Sequence, residues 1–186
     1  WGQKQYREAE ERLKTLSISD SLRFTFQIYF KELRELRLLK LEILRGMREI
    51  GRSEAYKRTV LLLQSAPGIG QLPAIRLSLE WGDIRRFARK EEFAAFLGLI
   101  PSDYSSGEQE RQGHITKQGN RSVRAWLTES SWVAIRYDPV LLDKFRRVLR
   151  NCGSKKKAIV AVARKLALRL RRALLSGEPY AVGVVE

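Results

Sequence analysis

The most regular feature of the sequence is a set of positions, Leu22, Phe26, Tyr29, Leu33, Leu36, Lys40, Ile43, Met47 and Ile50, that recur at alternating steps of four and three residues. All but Lys40 are apolar. That spacing is a heptad seam, and it predicts one continuous helix of roughly 45 Å at 1.5 Å per residue. Phe24, Phe30, Leu38, Leu39, Leu41 and Leu44 widen the stripe. Two arrangements fit: a long helix packed on its own domain and touching more than one neighbour, or a dimerising coiled coil. Lys40 at a seam position is the kind of polar residue that sets register or partner number. Upstream, QKQYREAEERLKT (3–15) reads as a short polar helix, and SISD (17–20) breaks it and offers caps for the next. Gly51 and Arg52 are expected to interrupt the long pattern.

Downstream the periodicity stays helical, with short breaks. Ser53 caps a helix carrying Val60 to Leu63, which stops at SAPGIG (65–70), and a further apolar helix follows with Leu72, Ala74, Ile75, Leu77 and Leu79. Helix, Pro-Gly-Ile-Gly, helix is the pattern of a helix-hairpin-helix. Gly68 and Gly70 would allow close backbone approach, and the second helix would aim its free N–H groups at a phosphate without reading a base. An ordinary αα turn closed by a glycine cap has the same pattern. WGDIRRF (81–87) is a connection and KEEFAAFLG (90–98) a short apolar helix. Asn120 caps a helix with Val123, Trp126, Leu127, Val133 and Ala134 inward. Asp138-Pro139 opens another, running to about Arg150, and a last helix from Ser154 to about Ser176 keeps Ile159, Val162, Leu166, Leu170 and Leu174 on one face. The predicted fold is all-α: a helical coiled-coil arm over 1–52, a compact helical domain over 53–180 and a tail over 181–186.

Composition sharpens this outline. Hydrophobic residues make up 44% of the 186-residue chain, enough for a core, and the net charge is +15. Between Arg111 and Leu175 there are 17 Lys or Arg against three Asp or Glu. A concentrated excess is a binding face for a polyanion, with nucleic acid ahead of anionic membrane. No apolar run approaches the length of a spanning helix, and no membrane partner is expected. The lone Cys152 rules out an internal disulfide and points to a reducing compartment, the cytoplasm. One Cys and one His argue against a zinc site. Lys155, Lys156 and Lys157 fall in the first turn of the last helix, where cations oppose the helix dipole. A bound phosphate would offset that cost; three solvated lysines would bear it cheaply.

Between the helical patterns lies PSDYSSGEQERQGHITKQGN (101–120), with Ser102, Ser105, Ser106, three glycines and the only histidine, His114. On composition alone, a flexible linker and a loop that presents a nucleophile are both open.

The strings LLLQSAPGIG (61–70), RFARKEEFAAFLGLIPSDYSSGEQERQGHITKQGNRSVRAWL (86–127) and KKKAIVAVARKLALRL (155–170), in that order, resemble the C-terminal half of the Piv-type insertion-sequence transposases and site-specific invertases. The resemblance covers roughly residues 53–180 and rests on the Pro-Gly-Ile-Gly turn, Ala-x-Leu-Gly-Leu-x-Pro, Tyr-Ser-Ser-Gly and Ile-Thr-Lys-x-Gly-Asn. It implies a serine-bearing transposase domain that works with an N-terminal RuvC-like domain carrying four acidic residues and Mg²⁺. It also implies double-stranded DNA and a structured guide RNA as partners, a homo-oligomer assembled through the coiled coil, and strand exchange through a phosphoserine. No acid-bearing, strand-rich domain is legible here and the chain opens on Trp1. A C-terminal portion, inactive alone, with no cofactor or metal of its own, is therefore the expectation.

Carried onto this sequence, the family serine is Ser106, directly before Gly107, with Ser105 as fallback and Ser102 third. A serine hydroxyl needs a base, metal or lowered pKa to attack, and the attacked phosphate gathers charge that fixed cations stabilise. Arg111, Lys117, Arg121 and Arg124 are the cations in reach by sequence. His114 as general base is weighed against a surface or phosphate-contact role. Tyr104 is either a support for the loop or a rival hydroxyl. Trp81, Trp126 and Trp132 are candidates for stacking on bases or for core packing.

Overall fold

The computed structural model describes residues 3–103, 112–116 and 118–184. The fold is all-α, as the periodicity predicts. Its helices are α1 (Gln3–Thr15), α2 (Asp20–Arg52), α3 (Glu54–Gln64), α4 (Gln71–Trp81), α5 (Lys90–Phe96), α6 (Arg121–Tyr137), α7 (Pro139–Cys152) and α8 (Lys155–Ser176). A 3-10 turn, Ile84–Arg86, follows α4, with the Asp83 carboxylate accepting from the Arg85 N–H at 3.0 Å. One short antiparallel pair, β1 (Pro101–Asp103) with β2 (Gln112–Ile115), was not legible in the sequence.

The chain divides into two compact units, residues 1–47 and 48–186. In the first, α1 lies beside α2. The Tyr6 hydroxyl donates to the Phe30 carbonyl at 2.7 Å, and the two rings meet edge-on at 5.3 Å. The Arg23 guanidinium donates to the carbonyls of Leu13 and Leu16, each at 3.0 Å, and closes the connection. Arg34 pairs with Glu10 at 3.2 Å. These contacts use the Arg23, Phe30 and Arg34 stripe of α2, which flanks the heptad seam. The seam itself stays open: Leu33, Leu36 and Ile43 are 50%, 55% and 55% exposed.

The second unit is built around α8, on which α3, α5, α6 and α7 all pack. Its buried face carries Ile159, Val162, Leu166 and Leu170, opposed by Leu63, Leu127 and Leu141. Each fully buried Leu or Ile contributes about 1.5–3 kcal/mol over exposure. Ile75, Leu77, Trp81 and Phe93 complete the core, with the Trp81 and Phe93 rings edge-on at 5.0 Å.

Two expectations are corrected. α2 includes Gly51 and ends at Arg52, with Ser53 extended as the N-cap of α3, so the break falls at Arg52 and not at the glycine. A Cβ on Gly51 would lie 2.5 Å from Cγ1 of Ile75, so this glycine marks the close approach of α4 and not a helix stop. On α6, Val123, Leu127 and Ala134 are buried as read, but Val133 is 40% exposed and Trp126 only half-buried.

At the α6–α7 junction a single carboxylate organises several elements. Asp138 Oδ1 caps α7 by accepting from the N–H groups of Val140 (3.0 Å) and Leu141 (3.4 Å), while Pro139 occupies the first helical position, where its missing N–H is harmless. Oδ2 accepts from Arg169 at 2.5 Å and from the Tyr180 hydroxyl at 2.6 Å. Arg169 in turn donates to the carbonyls of Ala181 and Val184 and lies over the Tyr180 ring at 4.5 Å. Asp138 is 1% and Arg169 4% exposed, so the pair is fully inside the protein. Burial alone would push the Asp138 carboxyl up; the Tyr180 hydroxyl, the Arg169 guanidinium and the two backbone N–H groups outweigh it and hold the group below its ordinary value.

Removing one partner of a buried pair strands the other charge. Asp138→Ala is therefore expected to cost about 3–5 kcal/mol in chemical denaturation. The folded carboxyl sits below its unfolded value, so its contribution is present above the unfolded pKa and is lost as pH falls through the folded one. The unfolding midpoint should accordingly drop below about pH 4, with a shallower acid slope in Asp138→Asn.

Candidate functional site

The hydroxyl-rich stretch lies between α5 and α6 in the chain. Its ends are clamped together. Gly98 has φ +64° and Gly119 φ +101°, a region that side-chain-bearing residues rarely adopt. A Cβ on Gly98 would overlap the Gln118 carbonyl oxygen, and one on Gly119 the Phe96 carbonyl oxygen. The two glycines thus let the outgoing and returning backbones touch. Arg124, one turn into α6, spans the joint: its Nη1 donates to the Gly119 carbonyl at 2.9 Å and to those of Leu97 and Gln118, each at 3.4 Å. The Thr116 N–H donates to the Ile100 carbonyl at 2.9 Å, and the strand pair extends the stem with Pro101 opposite Ile115 and Asp103 opposite Gln112.

Ser102 lies on β1 and His114 on β2, in the irregular register between those two pairs. Tyr104, Ser105, Ser106, Gly107, Arg111 and Lys117 lie outside the described residues.

The other candidate residues fall on three separate features. Asn120 caps α6 by accepting from the N–H groups of Ser122 (2.8 Å) and Val123 (3.4 Å), which sets the exposed Arg121 in the first turn beside the stem. The Pro-Gly-Ile-Gly turn joins α3 to α4. Gly68 faces inward, where a Cβ would meet the Ser130 carbonyl of α6, so its lack of a side chain serves packing. Gly70 is exposed and is the N-cap of α4, with no side-chain cap. Pro73 has no N–H, which leaves the Gln71 and Leu72 N–H groups as the donors of that helix end. The same turn is tied to the tail by the Tyr180 N–H, which donates to Ser65 Oγ at 2.8 Å.

At the α7–α8 turn, Gly153 is left-handed (φ +64°) and Ser154 Oγ accepts from the Lys157 N–H at 3.4 Å; Lys155, Lys156 and Lys157 are all exposed.

Of the tryptophans, Trp81 is core and Trp132 packs on Phe145 at 5.6 Å. Trp126 is half-buried, with the exposed Arg76 guanidinium 3.7 Å over its ring. Sequence reasoning missed the Arg76–Trp126 pair because its members come from α4 and α6. Among the described residues no three His, Cys, Asp or Glu side chains converge as a metal site. The Mg²⁺ implied by resemblance therefore has no ligand set among them.

The turn, the stem and the start of α7 all fall inside one matched region. Residues 60–146 match the model of the IS116/IS110/IS902 transposase family. The chain is also 34% identical over 147 residues to a probable family 20 transposase of Pseudomonas aeruginosa, covering 77% of this chain and 43% of that protein. It is 33% identical over 124 residues to the transposase for insertion sequence element IS1111A of Coxiella burnetii, covering 65% of this chain and 34% of that one. The chain thus spans less than half the length of these curated relatives. The transposase match takes in both the α3–α4 turn and the serine loop, and ends inside α7. No helix among the described residues is long and apolar enough to cross a membrane.

Alanine at either stem glycine would have to adopt a backbone region that costs an L-residue roughly 1–2 kcal/mol, in addition to the overlap. Gly119→Ala is expected to open the stem. Amide exchange at Thr116 should quicken while amides of the α8 core stay protected; unchanged exchange at Thr116 would remove the clamp from the account.

Proposed function

We propose that this chain is a portion of an insertion-sequence transposase that binds nucleic acid and supplies a serine nucleophile for strand exchange. The observation that supports the reading is the clamp between the residues that flank the Ser105-Ser106-Gly107 segment in the chain, inside the transposase-matched region. In this reading Ser106 Oγ attacks a backbone phosphorus. The phosphorus–oxygen bond to one deoxyribose breaks, a phosphoserine forms, the serine proton passes to a base and the departing deoxyribose oxygen takes up a proton. Reversal of the step onto another strand's hydroxyl completes the exchange. Arg111, Lys117 and Arg121 are the cations proposed for the charge gathered at phosphorus. Arg124 is given a positioning role, since its guanidinium already holds the stem carbonyls. The general base and Mg²⁺ are assigned to an acid-bearing domain outside this chain, and double-stranded DNA and a structured guide RNA are the proposed partners.

The open seam of α2 is assigned to a second copy of the chain, giving a homo-oligomer. Sedimentation should then show wild type as an oligomer and Leu33→Glu/Ile43→Glu as a monomer of unchanged helicity. An oligomer that survives the double variant would move the interface elsewhere.

A non-catalytic helix-hairpin-helix-type binding module is the second reading. It is favoured by the exposed Gly70 at an α4 N-terminus without a side-chain cap and by the exposed Lys155–Lys157 cluster. The two part at Ser106. With the full-length protein, guide RNA, Mg²⁺ and labelled donor DNA, the first expects a denaturation-resistant protein–DNA adduct that Ser106→Ala abolishes without weakening binding. An adduct that persists in that variant moves the chemistry to Ser105 or Tyr104. A recombination-competent protein that forms no adduct leaves this chain as a nucleic-acid clamp.

A further inference from the structure

α7 and α8 are joined by only Gly153 and Ser154 and pack extensively, so they form an antiparallel hairpin. Lys144 lies nine residues before Gly153 and Arg164 ten after Ser154, so the two-residue turn sets them at about the same level of the hairpin. Lys144 and Arg147 are one turn apart on α7, and Arg164 and Lys165 come from α8. Lys144, Arg164 and Lys165 are half-buried and Arg147 is exposed. The Lys144 ammonium is pushed below the ordinary lysine value, first by burial and then by Arg147, Lys165 and Arg164. Among the described residues none of the four is paired with an acid. Asp143, the neighbour of Lys144 in the chain, makes no ion pair with them either.

This arrangement sets like charges near one another with no counter-charge among the described residues. A lysine kept for stability would reach solvent or find a carboxylate, whereas burial among like charges disfavours its charged form. A bound anion would offset the like-charge repulsion and supply the missing counter-charge. Arginine presents a planar fork that takes two oxygens of one phosphate, and lysine adds a point charge beside it. Both α8 cations lie beyond the family-model match, which ends at residue 146.

We propose that Lys144, Arg147, Arg164 and Lys165 form a clamp across the α7–α8 seam for the phosphate backbone of a nucleic acid, an assignment that rests on the nucleic-acid-binding reading above. The clamp holds the polymer without reading its bases. It is a site separate in sequence from the serine loop and from the Lys155–Lys157 cluster at the hairpin's tip.

The test uses the full chain, a labelled DNA duplex and an RNA hairpin of unrelated sequence, and anisotropy titrations across a salt series. Lys144→Gln/Arg164→Gln is expected to weaken binding of whichever polymer occupies the clamp. It should also lower the slope of log affinity against log salt by about one to two. Loss on the duplex alone assigns the clamp to DNA, and loss on the hairpin alone assigns it to RNA. Unchanged affinity and slope on both polymers, with Lys155→Gln/Lys156→Gln/Lys157→Gln still weakening them, would overturn the clamp and leave the broader reading standing. A wild-type chain that binds neither polymer, or only phosphatidylserine vesicles, would overturn both. As a control on folding, Lys144→Met in the absence of nucleic acid is expected to melt at or above the wild-type temperature. A lower midpoint would mean that the lysine's charge serves the fold, and the proposal would fall.

Discussion

The carboxylate of Asp138 sits where three parts of the second unit meet, and the arrangement there follows from how its two oxygens are used. One oxygen starts α7; the other accepts from Arg169 in the middle of α8 and from Tyr180 in the tail. A buried carboxylate is tolerable only when such donors outweigh its lost hydration, and a buried guanidinium only when its N–H groups find acceptors. Arg169 meets that need through Asp138 and the carbonyls of Ala181 and Val184. The requirement for mutual satisfaction thus fixes the angle at which α6 hands over to α7, and it holds the tail against the body. The tail then reaches Ser65 and steadies the α3–α4 turn.

The same logic, applied to backbone groups, explains the stem of the serine loop. A loop inserted between two helices leaves carbonyls at both ends without helical partners. Here Arg124 gathers three of them onto one nitrogen, and the two glycines allow the crossing backbones to come close enough for that to happen. An arginine that looks in the sequence like one more cation for a polyanion is partly committed to the fold. Arg171 is another such case, donating to the Phe87 and Ala88 carbonyls at 2.7 and 3.2 Å. Net charge alone therefore overstates the cations available for binding. What matters is which of them lack a partner among the described residues, and Arg121, Lys144 and Lys155–Lys157 stand apart from Arg124, Arg169 and Arg171 on that ground.

The sequence by itself determined the helical class, most helix ends and the core face of α8. Those are local properties: a period near 3.6, a capping side chain such as Asn120 or Asp138, and a stripe of Ile159, Val162, Leu166 and Leu170. It also singled out the Ser105-Ser106-Gly107 stretch as a candidate, by composition and by family likeness. Tertiary structure decided what no periodicity carries. Gly51 reads as a helix break because glycine has low propensity, yet Ile75 of another helix is the reason for it. Gly68 reads as a phosphate approach, yet the Ser130 carbonyl occupies that side. Trp126 and Val133 have core-like spacing, yet Trp126 lies under Arg76 of α4 and Val133, beside the Gly68 turn, stays 40% exposed. The strand pair and the meeting of Lys144 with Arg164 each join residues far apart in the chain, and their spacing along it carries no period. Propensity and pattern act over a few residues, whereas these features exist only once separate elements have been brought into contact.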